Sequence, residues 1–186
     1  MRPLFIVVSA PSGAGKTTLC DLLLQNYPEI CYSISCTTRE PRANEEDGID
    51  YHFVTVDTFK KMIDEQQFLE YACVHDNYYG TLKEPIYQAL RENQCVLLDI
   101  DVAGAEQVRH YVAALPEEDP MRVGFIDIFI NPPSMEDLEQ RLVGRGTDKP
   151  EVIRKRLNNA RAEMARLLEA LFPGEVPPGG AAHHQE

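Results

Sequence analysis

The sequence predicts an α/β protein with a parallel core sheet flanked by helices. Three short apolar runs, Leu4–Ser9, Cys95–Leu98 and Phe125–Ile130, have the length and composition of buried strands. Segments with helical spacing of apolar residues separate these runs. Strands that alternate with helices are typical of parallel sheets. The 186 residues are enough for one such domain.

The other elements follow in chain order. In the first half we expect helices over 16–26 and 57–65, and strands over 32–35, 50–56 and 68–74. In the second half we expect helices over 84–92, 103–114, 134–143 and 150–171. Asp57 and Ser134 are the expected N-caps of their helices, and Pro150 marks the start of the last one. The stretch 36–88 mixes short strands and loops, which indicates a small antiparallel lobe inserted into the sheet domain.

Composition excludes several classes of function. The net charge is −12, so we expect no broad nucleic-acid or anionic-membrane surface, and any anionic ligand needs a local cluster of cations. No apolar run approaches the roughly 20 residues of a membrane span. The five cysteines are odd in number and form no Cys-x-x-Cys pair, which indicates reduced thiols in a cytoplasmic protein.

The strongest local signal is a glycine-rich loop between the first strand and the first helix. Residues 9–18 read S-A-P-S-G-A-G-K-T-T, with Ala10 where the phosphate-loop pattern has its first glycine. Glycines let backbone N–H groups converge on a phosphate, and the helix N-terminus adds its dipole. The residues expected to bind a nucleoside triphosphate are Ser12, Gly13, Ala14, Gly15, Lys16, Thr17 and Thr18. Asp99 ends a buried strand, so Thr17 and Asp99 are expected to hold Mg²⁺, directly or through water.

The lobe contains candidates for a second substrate. Arg39 and Arg42 flank a proline in a loop, so two guanidinium groups are available for a second phosphate, and the alternative is two solvated arginines. Tyr51 and Tyr79 can add hydroxyl donors. Glu70 lies mid-strand, either on a solvated face or aimed at a ligand. A carboxylate can accept from both N1–H and N2–H₂ of guanine, and the residues that could complete such a base site are Ser35, Thr81 and Asp101.

A second group of cations follows the third buried strand. Arg141 and Arg145 are four residues apart and share one helical face, and glycines flank Arg145. A flexible segment with arginines is what a closing lid requires, whereas the alternative is an exposed basic helix end.

Together these motifs resemble the guanylate kinase family from Leu4 to about Met164. The matching segments are S-A-P-S-G-A-G-K-T-T, S-C-T-T-R-E-P-R, G-I-D-Y-H-F-V, F-L-E-Y-A, N-Y-Y-G-T, L-L-D-I-D-V-A-G and R-L-V-G-R-G-T. The resemblance implies a P-loop kinase that transfers phosphate from ATP, with Mg²⁺, to GMP or dGMP. It implies a core over 1–34 and 89–133, a GMP-binding lobe over 35–88 and a helical lid over about 134–158.

The resemblance also implies residue roles. The GMP phosphate is expected to contact Arg39, Arg42, Tyr51 and Tyr79, and guanine is expected to contact Ser35, Glu70, Thr81 and Asp101. Lys16, Thr17 and Asp99 are expected to serve ATP and Mg²⁺. The expected catalytic residues are Lys16, Arg39 and the lid group Arg141, Arg145 and Arg156.

Three expectations remain. The family continues beyond the long helix into a further strand and helix, but residues 172–186 are rich in proline and glycine, so we expect those elements to be missing and this stretch to be a disordered tail. The protein is expected to be a monomer or homodimer. The alternatives are a kinase for another nucleoside monophosphate and a non-catalytic binding module, which the intact Gly13, Gly15, Lys16 and Thr17 disfavour.

Overall fold

A computed structural model describes residues 2–144 and 149–171. Its strands are β1 (Phe5–Ser9), β2 (Ile30–Tyr32), β3 (Cys36–Thr37), β4 (His52–Phe53), β5 (Phe68–Val74), β6 (Asn77–Leu82), β7 (Cys95–Ile100) and β8 (Phe125–Phe129). Its helices are α1 (Lys16–Asn26), α2 (Val56–Asp64), α3 (Lys83–Arg91), α4 (Val102–Ala114), α5 (Pro120–Val123), α6 (Met135–Gly144) and α7 (Pro150–Leu171). The chain forms two compact units, the first of which contains the residues up to Ala10 and Gly15–Ile130. Pro11–Ala14 belong with the residues from Asn131 onward.

The first unit contains the predicted parallel sheet. Its strand order is β2-β7-β1-β8, and every pairing is parallel. Both central strands are almost wholly apolar, and their side chains form the core with α3 and α4. Because parallel strands end at the same edge, β7 delivers its terminal acidic residues to the crevice where ligands of such sheets bind. The predicted α/β class is confirmed.

A second sheet in the same unit has the order β4-β3-β6-β5. β6 pairs antiparallel with β3 and β5, while β3 and β4 are parallel. His75 and Asp76, with φ of 50° and 64°, connect β5 and β6, as in a two-residue hairpin turn that requires positive φ at both positions. Phe59 from α2 stacks on Phe68 of β5 at a centroid distance of 4.3 Å. This stacking attaches the helix to the sheet.

The second unit contains α6 and α7. Ser134 Oγ accepts a 3.0 Å bond from Asp137 N and donates a 2.7 Å bond to the Asp137 carboxylate, so the predicted N-cap is confirmed. Leu138 and Leu142 of α6 are fully buried in a cluster with Leu157 of α7. The predicted tail, 172–186, lies outside the described residues.

Several predicted boundaries are wrong. The strand predicted over 32–35 is misplaced, because β2 ends at Tyr32 and the next strand, β3, begins at Cys36. The strand predicted over 50–56 is too long, because β4 has only two residues. Thr55, not Asp57, caps α2, since its hydroxyl accepts from Thr58 N at 3.1 Å. Sequence reasoning also missed β6 and α5. Within the two described ranges, no helix is both long and apolar enough to cross a bilayer.

Candidate active site

A cavity of about 280 Å³ lies in the first unit where the two sheets meet. It is lined by six of the predicted site residues: Ser35, Tyr51, Glu70, Tyr79, Asp99 and Asp101. Ala72, Val74, Gly80 and Ile100 complete its wall. The ends of β7 and the faces of β5 and β6 therefore bring side chains of both sheets to one pocket. Thr81, Arg39 and Arg42 do not line this cavity.

Glu70 is buried at the wall of this pocket, with 7% of its surface exposed. A register shift between Phe68 and Glu70 interrupts the alternation of β5, so Phe68, Leu69 and Glu70 are all buried. Thr81 donates a 2.6 Å hydrogen bond from its hydroxyl to Glu70 Oε1. Burial raises the pKa of Glu70, the bond from Thr81 opposes this, and the nearby Asp101 charge raises the pKa further. The sequence left open whether Glu70 lies on a solvated face or points at a ligand, and its burial excludes the solvated face.

Asp101 stands at the start of α4. It is the N-cap of this helix, and its Oδ1 accepts a 2.7 Å bond from Gly104 N. This bond fixes the carboxylate beside the pocket, and the residue remains exposed there. Capping and pocket lining are therefore functions of the same side chain.

Arg39 is held by a carboxylate that sequence reasoning missed. Its two terminal nitrogens each donate a 2.9 Å bond to Glu45, and its guanidinium lies 5.5 Å from the centre of the Tyr51 ring. The bond to Glu45 raises the pKa of Arg39, and the same bond lowers the pKa of Glu45. Glu45 also accepts from Arg42 N at 2.8 Å. The signal in the sequence that could have identified Glu45 is its position six residues after Arg39 and three residues after Arg42.

Arg42 differs from Arg39 in exposure. Its side chain is 78% exposed, and its Nη1 is 4.0 Å from Glu45 Oε1. The rings of Tyr51 and Tyr79 meet edge to face with centroids 6.2 Å apart. Tyr51 and Tyr79 thus line the pocket and Arg39 lies over the Tyr51 ring, whereas Arg42 is mostly exposed.

Lys16 is positioned at the first turn of α1. Its Nζ forms an ion pair with Asp99 and donates a 2.8 Å bond to the carbonyl of Ile100. Gly15, the N-cap of α1, has a φ of 98°, and neither a side-chain cap nor an acidic residue satisfies the first turn. The N–H groups of this turn are therefore available to an anion.

The same region contains oxygen donors for Mg²⁺. Within residues 2–144 and 149–171 no cluster of three His, Cys, Asp or Glu side chains exists that could hold a metal alone. Mg²⁺ bound with a nucleotide does not need one, because phosphates and water supply most of its ligands. The Asp99 carboxylate, paired with Lys16, and the exposed Thr17 hydroxyl are hard oxygen donors of the right type. The residues present therefore fit the ion.

Two of the predicted lid arginines, Arg141 and Arg156, belong to the second unit. Arg141 donates a 2.9 Å bond from Nη1 to the carbonyl of Ala14, which is part of the glycine-rich loop and of the same unit. Arg156 lies on α7. Arg145 is outside the described residues. Arg141 is therefore in contact with the glycine-rich loop.

The parallel sheet, the glycine-rich loop with its lysine and the pocket lined by carboxylates define a P-loop nucleotide-binding enzyme. A family model described as guanylate kinase matches residues 1–174. The chain belongs to the guanylate kinase family, and it is a nucleoside monophosphate kinase, a phosphotransferase. The predicted family resemblance is confirmed.

Individual relatives of the chain are also guanylate kinases. The chain is 51% identical over 163 residues to a guanylate kinase of Dechloromonas aromatica, and the matched segment covers 88% of this chain and 76% of that protein. It is 46% identical over 168 residues to a guanylate kinase of Paramagnetospirillum magneticum, covering 90% and 74%. Among solved structures, guanylate kinase from Anaplasma phagocytophilum is similar with a TM-score of 0.54 and 29% identity, covering 92% and 96%.

Proposed function

We propose that the protein transfers the γ-phosphoryl group of ATP to GMP and dGMP, giving ADP with GDP or dGDP, as a step of purine nucleotide metabolism in the cytoplasm. The observation that supports this most is the buried carboxylate of Glu70 at the wall of the pocket. The five cysteines are all unpaired, in keeping with a reducing compartment. The proposed lobe covers 35–88 and the proposed lid about 134–158.

Guanine complements this pocket chemically. Its N1–H and N2–H₂ are two adjacent donors that one carboxylate accepts, whereas adenine lacks this pair. Thr81 already satisfies one oxygen of Glu70, and Ser35 and Asp101 contribute further polar groups at the same wall. A base that leaves such a buried carboxylate unpaired is rejected steeply, by about 10⁴-fold.

The phosphate of GMP requires cations near this base site. Arg39 lies over the Tyr51 ring and Arg42 extends from the same loop, so both can form bonds with phosphate oxygens. The hydroxyls of Tyr51 and Tyr79 add donors. This assignment places the anion beside the pocket in a protein whose net charge is −12.

Transfer itself needs positioning and charge compensation. A GMP phosphate oxygen is already anionic, so no general base is required for in-line attack on the γ-phosphorus. Lys16 and the free N–H groups of the first turn of α1 bind the ATP phosphates, and Arg141, Arg145 and Arg156 supply further positive charge. Mg²⁺, when held by Asp99 and Thr17, neutralises charge on the phosphates.

A nucleotide panel tests this proposal. ADP release is measured in a coupled assay with ATP, Mg²⁺ and each of GMP, dGMP, AMP, CMP and UMP. We expect GMP and dGMP to be used and the other three to be poor acceptors. Preference for another monophosphate would reassign the substrate, and ADP release without any acceptor dependence would contradict the reaction.

A variant of Lys16 tests the site within the same assay. Lys16→Met keeps the length of the side chain but removes the charge that pairs with Asp99, so we expect most of the turnover to be lost. Lys60→Ala, an exposed lysine on α2, is the matched control and should behave like the wild type.

A further inference from the structure

The first turn of α4 forms a close support for Glu70. A Cβ atom added at Gly104 would lie 3.0 Å from Glu70 Oε2 and 3.3 Å from Asp101 Oδ1. The 3.0 Å contact is tighter than side chains normally tolerate, so the carboxylate of Glu70 uses space that any side chain at position 104 would take. The other oxygen, Oε1, is fixed by Thr81. The carboxylate is therefore confined between β6 and α4.

One turn further along α4, Gln107 ties the same helix to β5. Its Oε1 accepts from Tyr71 N at 3.2 Å, and its Nε2 donates to Tyr71 O at 3.1 Å. β5 is an edge strand, so these two backbone groups have no strand partner on that side. The primary amide of Gln107 replaces the missing strand at the residue that directly follows Glu70.

We infer that Gly104 and Gln107 are positioning residues that set the preference for guanine by fixing the Glu70 carboxylate. Gly104 leaves the space that the Glu70 carboxylate occupies, and Gln107 holds β5 beside α4. Neither residue lines the pocket. The inference deepens the proposed function and rests on it, because Glu70 is taken as the group that binds guanine.

A substitution at Gly104 distinguishes a positioning role from a purely structural role of this residue. Alanine has a higher helix propensity than glycine, so Gly104→Ala favours α4 as a helix. The same substitution forces the Glu70 carboxylate to move by a few tenths of an ångström. A structural role alone would leave binding unchanged and stability equal or higher. The positioning role makes binding weaker in a protein that is equally stable.

The experiment compares Gly104→Ala with Ala103→Gly, an exposed position in the same turn that changes helix propensity in the opposite direction. Initial rates give kcat and KM for GMP, IMP and ATP, calorimetry gives the Kd for GMP, and thermal melts give Tm. For Gly104→Ala we expect KM and Kd for GMP to rise about tenfold, the effect of one charge-assisted hydrogen bond. We expect the KM for ATP to stay the same and Tm not to fall.

IMP lacks the 2-amino group of guanine, so it reports which contact is lost. We expect the preference for GMP over IMP in kcat/KM to shrink in Gly104→Ala and to persist in Ala103→Gly. Gln107→Met, which keeps the length of the side chain without its two hydrogen bonds, should raise the KM for GMP in the same direction, with Glu106→Met as its exposed control.

The outcomes are distinguishable. A wild type that uses and binds GMP, with a Gly104→Ala variant whose KM, Kd and preference over IMP are unchanged, overturns the inference and leaves the proposed function standing. A Gly104→Ala variant in which Tm falls and the KM values for GMP and ATP rise alike also overturns it, because that pattern indicates general disruption. A wild type that neither binds nor phosphorylates GMP overturns both.

Discussion

The hydroxyl of Thr81 donates a 2.6 Å hydrogen bond to the carboxylate of Glu70, and both side chains are buried. Burial favours the neutral form of a carboxyl group, whereas a donor stabilises its charged form. Burial has the larger effect here, so the pKa of Glu70 is raised. The protein therefore keeps a carboxylate in an environment that resists its charge, which is typical of functional sites.

Glu70→Gln should weaken GMP binding selectively. The amide keeps one acceptor but replaces the other oxygen with an NH₂ group that faces the donors of guanine, so we expect the KM for GMP to rise about a hundredfold or more. The KM for ATP should change little. Initial-rate kinetics with each substrate varied in turn measure both constants. Glu92→Gln, an exposed glutamate at the end of α3, is the control, and an equal KM for GMP in the two variants would remove Glu70 from the base site.

The same variant should alter how stability depends on pH. The folded pKa of Glu70 lies above the unfolded value of 4.5, so the contribution of this group is fully present below pH 4.5 and is lost as pH rises through the folded pKa. Glu70→Gln has no such group. We therefore expect the variant to gain in relative stability between acidic and neutral pH. Urea denaturation from pH 4 to pH 8 measures the difference, and a constant or opposite difference would contradict the raised pKa.

The sequence was sufficient to locate three of the four strands of the parallel sheet and to name six of the residues that line the pocket. Continuous apolar runs identify β1 and β7, which are buried as strands of this type must be. The third run does form a strand, β8, but the prediction that it is buried is wrong, because β8 is at the edge of the sheet and its middle residues are exposed. Asp99 and Asp101 follow from their place at the end of β7. The elements of the lobe over 35–88 were harder to predict from the sequence, because they are short and depend on contacts between distant residues.

Three residues show this. Thr55 rather than Asp57 caps α2, a choice between two good capping residues that local pattern does not decide. Glu45 was missed, because a glutamate in a polar loop looks solvated until the fold brings it to Arg39. The burial of Glu70 depends on the register shift in β5, which is invisible in the residue pattern.

Arg39 and Arg42 should respond differently to the same substitution. Arg39 makes two parallel bonds with Glu45 and lies over the Tyr51 ring, whereas the side chain of Arg42 is 78% exposed. Lysine keeps the charge but loses the planar fork. We expect Arg39→Lys to raise the KM for GMP about tenfold, the value of one charge-assisted bond, and Arg42→Lys to raise it less. Equal effects in initial-rate assays would show that the ordering of Arg39 is unimportant for binding.

Gly13 should be intolerant of a side chain. Its φ of +94° is a conformation that alanine rarely adopts, and an added Cβ would lie 2.7 Å from Leu142 Cδ2 and 3.2 Å from Leu138 Cδ1. Both leucines are fully buried between α6 and α7, so they have little room to move. Gly13→Ala should lower the free energy of unfolding by about 2 kcal/mol, from backbone strain and overpacking together.

Gly144, the last residue of α6, is the matched control for this substitution. Among the residues that the structure describes, nothing lies within 4 Å of a Cβ added at Gly144, and Gly144 has no positive φ. Gly144→Ala should therefore leave the free energy of unfolding within about 0.5 kcal/mol of the wild type. Urea denaturation of the wild type and both variants compares the two positions directly. If the two variants unfold at the same urea concentration, the contact between Gly13 and the leucines of α6 does not constrain the loop. A selective loss in Gly13→Ala means that packing in the second unit, and not only phosphate binding, requires glycine at this position of the loop.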